Sequence, residues 1–220
     1  PEETTIPEET TTPEEITTPD PPHEHTLVNG QCACGFVPVV ENKSSYDNNN
    51  DGENDVFYFS PLLPEEFKAF DAIQLSAGDY TEAFYVRDGI ASEGENFCYW
   101  YCREDKKSYL IYEVEVAQAG VYEMAIHQKI RDCNASGAKI TVNEGSENAQ
   151  SIETSYQFSQ EDLLTACDNQ QSISSYMFGI ELNLLAGVNY IKIEAASNTE
   201  NNQFFRDFYL VKMGDSVDKS

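Results

Sequence analysis

Four oxygen-bearing residues in a short acidic run carry the clearest chemistry in the sequence. Asp47, Asn49, Asp51 and Asp55, with Gly52 among them, stand as D-x-N-x-D-G-x-x-D. Oxygens at alternate positions, around a glycine that permits a sharp turn, can converge on a hard cation, and Ca2+ suits such a set. These four are therefore the candidate metal ligands. An Asn/Asp-rich turn leading into a strand is the other reading of the same residues.

The run matches the first nine positions of calcium loops of the EF-hand, dockerin and thrombospondin type. It departs from them at the twelfth position, where Tyr58 replaces the acidic ligand, so the set is weak or is completed from elsewhere. A second constellation is Tyr99, Trp100 and Tyr101, set between Cys98 and Cys102. Three adjacent aromatics serve either as core or as a rigid platform on which a sugar ring stacks.

The six cysteines, at 32, 34, 98, 102, 133 and 167, lack the CxxC and His spacing of a zinc site. On extended segments Cys32 and Cys34 share a face, as do Cys98 and Cys102. Neither pair can close on itself, because bridged Cα atoms approach to about 6 Å. The expected bridges run from the first pair to the second, and from Cys133 to Cys167. Sequons at Asn42 and Asn134 add to the case for an oxidising, extracellular setting.

Catalysis finds no support. The histidines are His23, His25 and His127, two in the N-terminal tail and one on the polar side of a strand pattern. No nucleophile, base and acid stand in a legible arrangement. The charge is extreme, with 39 acidic against 13 basic residues and a net charge of −26. Nucleic acid and anionic membrane are excluded as partners, since both demand a basic footprint. Calcium, cationic surfaces and neutral glycans fit this balance. No apolar run reaches the roughly eighteen residues of a membrane span. The chain begins at Pro1 without a signal-peptide pattern and reads as a mature or excised piece.

The elements that must position these residues are strands. In residues 108–130, Leu110, Tyr112, Val114 and Val116 alternate with Ile111, Glu113 and Glu115. After a break at residues 117–120 the alternation resumes with Tyr122, Met124 and Ile126. The pattern predicts a β-hairpin at the centre of a sheet. Further strands are expected at 56–59, 83–87, 138–142, 151–158, 177–184, 190–195 and 204–213. Residues 27–40 read as extended, 65–70 as a short helical turn, and Asp88-Gly89 as a turn. A helix start is possible at Ser159.

Residues 1–26 form an arm or linker, 27–213 the domain, and 214–220 a polar tail. The arm repeats PEETTI, PEETTT and PEEITT. Prolines at this spacing with self-repelling charge favour an extended polyproline-II segment. Its threonines, Thr4, Thr5, Thr10, Thr11, Thr12, Thr17 and Thr18, are candidate O-glycan sites. At about 3.1 Å per residue the first 22 residues reach roughly 70 Å. A domain of about 190 residues is only roughly 40 Å across. The arm can therefore reach another copy of the chain, and a head-to-tail contact that does not close builds a filament.

The order of the pieces resembles the galactose-binding-like jelly rolls of carbohydrate-binding modules. The matching residues are Ala119-Gly120-Val121-Tyr122, Ala186-Gly187-Val188-Asn189-Tyr190-Ile191 and Asp207, over roughly residues 70–213. The resemblance implies an all-β jelly-roll sandwich. The glutamate-rich opening strand of that family, which often supplies a calcium ligand, is met only loosely by Phe70-Asp71-Ala72. Two functions follow. One is an extracellular structural glycoprotein, strung into a filament by its arm. The other is a non-catalytic carbohydrate-binding module of a secreted glycan-degrading enzyme or adhesin.

Overall fold

A computed structural model describes residues 26–28, 30–84, 86–90, 96–100, 102–103, 106–131, 137–154, 172–195 and 203–214. Within this set the side chains of residues 86–107, 129–131, 172–174, 195 and 203–205 are not described. The early strands are β1 (Leu27–Val28), β2 (Gln31–Cys32), β3 (Val40–Lys43), β4 (Val56–Ser60), β5 (Ile73–Ser76), β6 (Glu82–Phe84), β7 (Val86–Ile90) and β8 (Asn96–Trp100). Two short strands, β9 (Cys102–Arg103) and β10 (Lys106–Lys107), precede β11 (Tyr109–Val116) and β12 (Gly120–Arg131). The later strands are β13 (Ala138–Val142), β14 (Gln150–Glu153), β15 (Ser172–Leu184), β16 (Gly187–Ala195) and β17 (Gln203–Gly214). One 3-10 turn, Glu65–Lys68, lies where the sequence reads a short helical turn.

Thirteen of these strands form a jelly-roll sandwich of two antiparallel sheets, while β1 with β2 and β9 with β10 form separate two-stranded pairs. The smaller has five strands in the order β14-β13-β16-β11-β6. The larger has eight, in the order β3-β4-β15-β12-β17-β8-β7 with β5 also paired to β17. Tyr112, Val114, Val116, Ile140, Val142, Ile191 and Ile193 from the first sheet meet Phe57, Phe59, Met124, Ile126, Ile180, Leu182, Phe208 and Leu210 from the second. Period-two alternation puts each set on one side of its strand, and burial of the two sets against each other drives the layers together.

The expected central hairpin is not formed. β11 pairs with β16 and β6, whereas β12 pairs with β15 and β17 in the other sheet. Residues 117–119 therefore cross the sandwich rather than turn within a sheet. Both strands keep the alternation the sequence shows, because a hairpin and a crossing impose the same period and differ only in which neighbour supplies the hydrogen bonds. A side chain at Gly120 would run into the Gly214 carbonyl oxygen, so the crossing enters β12 where only glycine fits.

Two further expectations are corrected. Residues 27–40 are not one extended segment. Cys32 N–H donates to Phe36 O at 2.8 Å and Gly35 N–H to Cys32 O at 2.8 Å, closing a tight turn with Gly35 at φ +93°. Cys32 is consequently buried and Cys34 exposed, so they do not share a face. Asp88 and Gly89 are no turn either: they lie within β7, opposite Cys98 and Phe97 of β8. Residues 1–25 of the arm, Cys133, Asn134, Ser159 and Cys167 lie outside the described residues, as does most of the expected strand 151–158 beyond Glu153. No helix among the described residues is long and apolar enough to cross a membrane.

Candidate functional site

Residues 44–55 fold into a loop capped by its own side chains. Asp47 accepts from the amides of Asp51 at 3.2 Å and Gly52 at 3.0 Å. Asn49 Oδ1 also accepts from Asp51 N–H at 3.0 Å, and Asp51 Oδ1 from Glu53 N–H at 2.8 Å. Asn50 and Gly52 adopt the left-handed conformation, at φ +61° and +95°. Asn and Gly tolerate that conformation best, which is why this sequence turns here.

These bonds bear on the calcium expectation. Asp55 Oδ2 accepts from Asn48 N–H at 2.9 Å and also from the Asn48 side-chain amide. Asp47, Asn49, Asp51 and Asp55 thus serve as caps for the loop's own donors. Among the described residues no group of three or more His, Cys, Asp or Glu side chains is placed to hold a metal ion.

Asn48, between the expected ligands, docks the loop. Its Oδ1 accepts from Glu153 N–H at 2.8 Å, and its Nδ2 donates to Glu153 O at 3.1 Å. The Tyr46 hydroxyl hydrogen-bonds the Glu153 carboxylate, which pushes the phenol pKa up. This joins the loop to the edge strand β14, 105 positions along the chain. Nothing in the sequence distinguishes Asn48 from its Asn neighbours, because the partner is remote.

Beside the loop opens a cleft of about 450 Å³. Its polar lining is Asn48, Asn49, Asp55, Gln150, Glu181 and Asn183. Gln150 spans from β14 to β15, with Nε2 donating to Glu181 O at 3.2 Å and Oε1 accepting from Asn183 N–H at 2.8 Å. The cleft therefore sits where the edge of the smaller sheet meets β15. The Asn183 side-chain amide and the exposed Glu181 carboxylate have no hydrogen-bond partner among the described residues. No Lys or Arg lines the cleft.

Next to it, Glu123 is half-buried opposite Glu181. Burial raises its pKa above 4.5. The hydrogen bond from Gly179 N–H, 2.9 Å, opposes the rise, and the charges of Glu66 and Glu181 add to it. The fold thus favours protonated Glu123. That contribution is fully present below the unfolded-state pKa and is lost as pH rises through the higher folded value. Glu123→Gln keeps an acceptor for Gly179 and removes the charge. It should raise stability near neutral pH by up to about 1 kcal/mol, the scale of a like-charge cross-strand pair. Near the ordinary carboxylate pKa the gain should shrink, and urea denaturation at both pH values measures this.

His127 is not on a wet face as its place in the alternation suggests. It is 8 % exposed and stacks on Tyr176, with ring centroids 4.2 Å apart. Its Nδ1 lies 3.7 Å from Asp207 Oδ2. Tyr209 closes on Tyr176, and burial followed by the Asp207 charge pushes its phenol up to about 12. A second small core of Phe67, Ala125 and Val211, with Leu63, Phe178 and Tyr209 against it, lies apart from the main one. Both sides of central β12 are thus covered, which alternation in one strand does not reveal.

The other expected site residues are not gathered at the cleft. Tyr99 and Trp100 lie on β8, paired with β17 and β7, with side chains outside those described, and Tyr101 lies outside the described residues. Asn42 is half-buried on β3 with its Oδ1 shielded from solvent. The resemblance residues Gly120, Gly187 and Asn189 serve the turns, and Asp207 faces His127.

No protein-family model matches the sequence, and no curated protein matches it. Among solved structures, the chain is similar to the C-terminal CBM6 of LamC, a marine laminarinase from Zobellia galactanivorans. That match has 12 % identity and a TM-score of 0.46, over 64 % of this chain and 100 % of the other. A family 35 carbohydrate-binding module from Clostridium thermocellum matches at 14 % identity and a TM-score of 0.45, over 65 % of this chain and 99 % of the other. An exo-β-1,3-galactanase from Phanerochaete chrysosporium matches at 14 % identity and a TM-score of 0.45, over 73 % of this chain and 35 % of the enzyme.

Proposed function

We propose that the chain is a non-catalytic, extracellular carbohydrate-binding module that takes a neutral oligosaccharide in the cleft between the 44–55 loop, β14 and β15. The observation that carries this reading is the cleft itself. It has the volume of a small-ligand site and presents the Asn183 amide beside the Glu181 carboxylate, neither engaged among the described residues. Sugar hydroxyls donate and accept at once, so an amide paired with a carboxylate complements them. The acidic lining and the net charge of −26 disfavour uronate or sulfate sugars.

An array of neutral, uronate-bearing and amino-sugar oligosaccharides tests this. A neutral hit is expected, and Asn183→Ala should weaken it about tenfold, near 1.4 kcal/mol. Cleavage of the bound sugar would overturn the non-catalytic part of the reading. Binding unchanged in Asn183→Ala together with Glu181→Gln would overturn the cleft assignment.

The filament reading places its contact on residues 1–22, outside the described residues. The cleft favours the module, for which electron microscopy should show single particles. Calcium at Asp47, Asn49, Asp51 and Asp55 is a proposal on the same footing. A Ca2+ titration that raises Tm assigns the loop to the metal, and an unchanged Tm leaves it a hydrogen-bonded turn.

A further inference from the structure

The outer face of the five-stranded sheet carries aromatic rings among carboxylates. Phe84, 45 % exposed, stacks on Tyr109 with ring centroids 5.5 Å apart and 19° between planes. The Tyr109 hydroxyl donates to Glu82 at 2.6 Å. Lys192 Nζ lies 4.9 Å from the centroid of the Tyr109 ring, and Glu144 and Glu194 flank the ammonium at 3.2 and 3.7 Å. The face thus already holds one cation against a ring, with carboxylates around it.

The strand register sets up the same chemistry a second time without a lysine. Tyr190, 50 % exposed, lies opposite Glu113, and Val188, 48 % exposed, lies opposite Glu115. Glu113 and Glu115 are exposed and make no hydrogen bond or ion pair among the described residues. They share one side of β11, about 7 Å apart at 3.4 Å per residue. Glu113 is four positions beyond Tyr109, so the two aromatic stations stand about 14 Å apart along the strand. An aromatic ring beside unpaired carboxylates attracts an organic cation through both the ring quadrupole and charge.

We propose that this face binds a polymer of amino sugars of the glucosamine type. Sugar rings lie on Tyr190 and on the Phe84–Tyr109 pair, and the ammonium groups meet Glu113 and Glu115. This extends the glycan reading to a second surface with a different charge preference. A basic peptide fits less well. In a sheet the backbone groups point along the layer towards neighbouring strands, so the face itself offers no main-chain bonds to a peptide.

Calorimetric titration of the full chain with glucosamine oligosaccharides, their N-acetylated counterparts and oligolysine of equal charge tests the proposal. Glucosamine oligomers should bind with a salt-dependent Kd, and the N-acetylated ones at least about tenfold more weakly. Glu113→Gln with Glu115→Gln, and separately Tyr190→Ala, should each weaken the glucosamine oligomer at least about tenfold. These positions are exposed, so circular dichroism should match the parent. Asn183→Ala in the cleft should leave this binding unchanged, which separates failure here from failure of the cleft. No binding of glucosamine oligomers overturns the proposal, and so does binding that survives the double substitution. Oligolysine bound as tightly, and indifferent to Tyr190→Ala, assigns the face to basic peptides instead.

Discussion

Asn189→Ala is expected to destabilise the domain by about 3–4 kcal/mol, although the residue touches no candidate ligand. Asn189 is fully buried. Its Oδ1 accepts from Leu185 N–H at 3.0 Å and from Asn143 Nδ2 at 3.0 Å. Its Nδ2 donates to Leu185 O at 2.8 Å and Gly187 O at 3.2 Å. Asn143, at φ +51°, in turn accepts from Tyr190 N–H at 2.9 Å. One amide therefore organises the turn between β15 and β16 and ties it to the turn after β13. Removing it takes the side-chain partner from Leu185 N–H and Leu185 O, and each backbone group left unsatisfied costs about 1–3 kcal/mol. A fall in the urea midpoint at unchanged m-value would show the loss. A cost below about 1 kcal/mol would mean that water takes the place of the amide, and the network would not be what fixes these turns.

Phe208→Ala should be at least as severe, at about 3–5 kcal/mol. Phe208 is fully buried on β17, and its ring lies 5.0 Å from that of Tyr112 on β11, at 58°. The two strands belong to opposite sheets, so the pair reports directly on the contact between layers. Tyr112 is anchored by its hydroxyl, which donates to Ala77 O at 2.9 Å. Truncation of Phe208 leaves a void that this anchored ring cannot move to fill. A double-mutant cycle between Tyr112→Ala and Phe208→Ala should return a coupling of about 0.5–1.5 kcal/mol. Strictly additive losses would contradict the packing of the two rings.

The cleft was only partly legible in the chain. The Asp47–Asp55 spacing marked a turn with convergent oxygens, and the structure has that turn. What those oxygens bind depends on which donors lie within reach, and the nearest donors are the amides of residues 51–53. Gln150, Glu181 and Asn183 carried no signal, since each is an ordinary polar residue on or beside a strand. They become a site because β14 and β15 meet at the open side of the sandwich. The extended backbone expected at residues 32–34 is absent for a related reason: Gly35 at φ +93° turns the chain there.

Alternation in residues 109–116, 138–142 and 187–195 determined that the chain is built of strands with one apolar side, because burial in a sheet imposes a period of two. The glycines and asparagines of the turns were equally local, since left-handed backbone selects them wherever it occurs. Which sheet each strand joined was left to tertiary structure. The step from β11 to β12 crosses the sandwich because their apolar sides face each other, and no pattern within a single strand encodes its neighbours. His127 shows the same limit at one residue: its place in the alternation is polar, but Tyr176 and Asp207, 49 and 80 positions later, close over it.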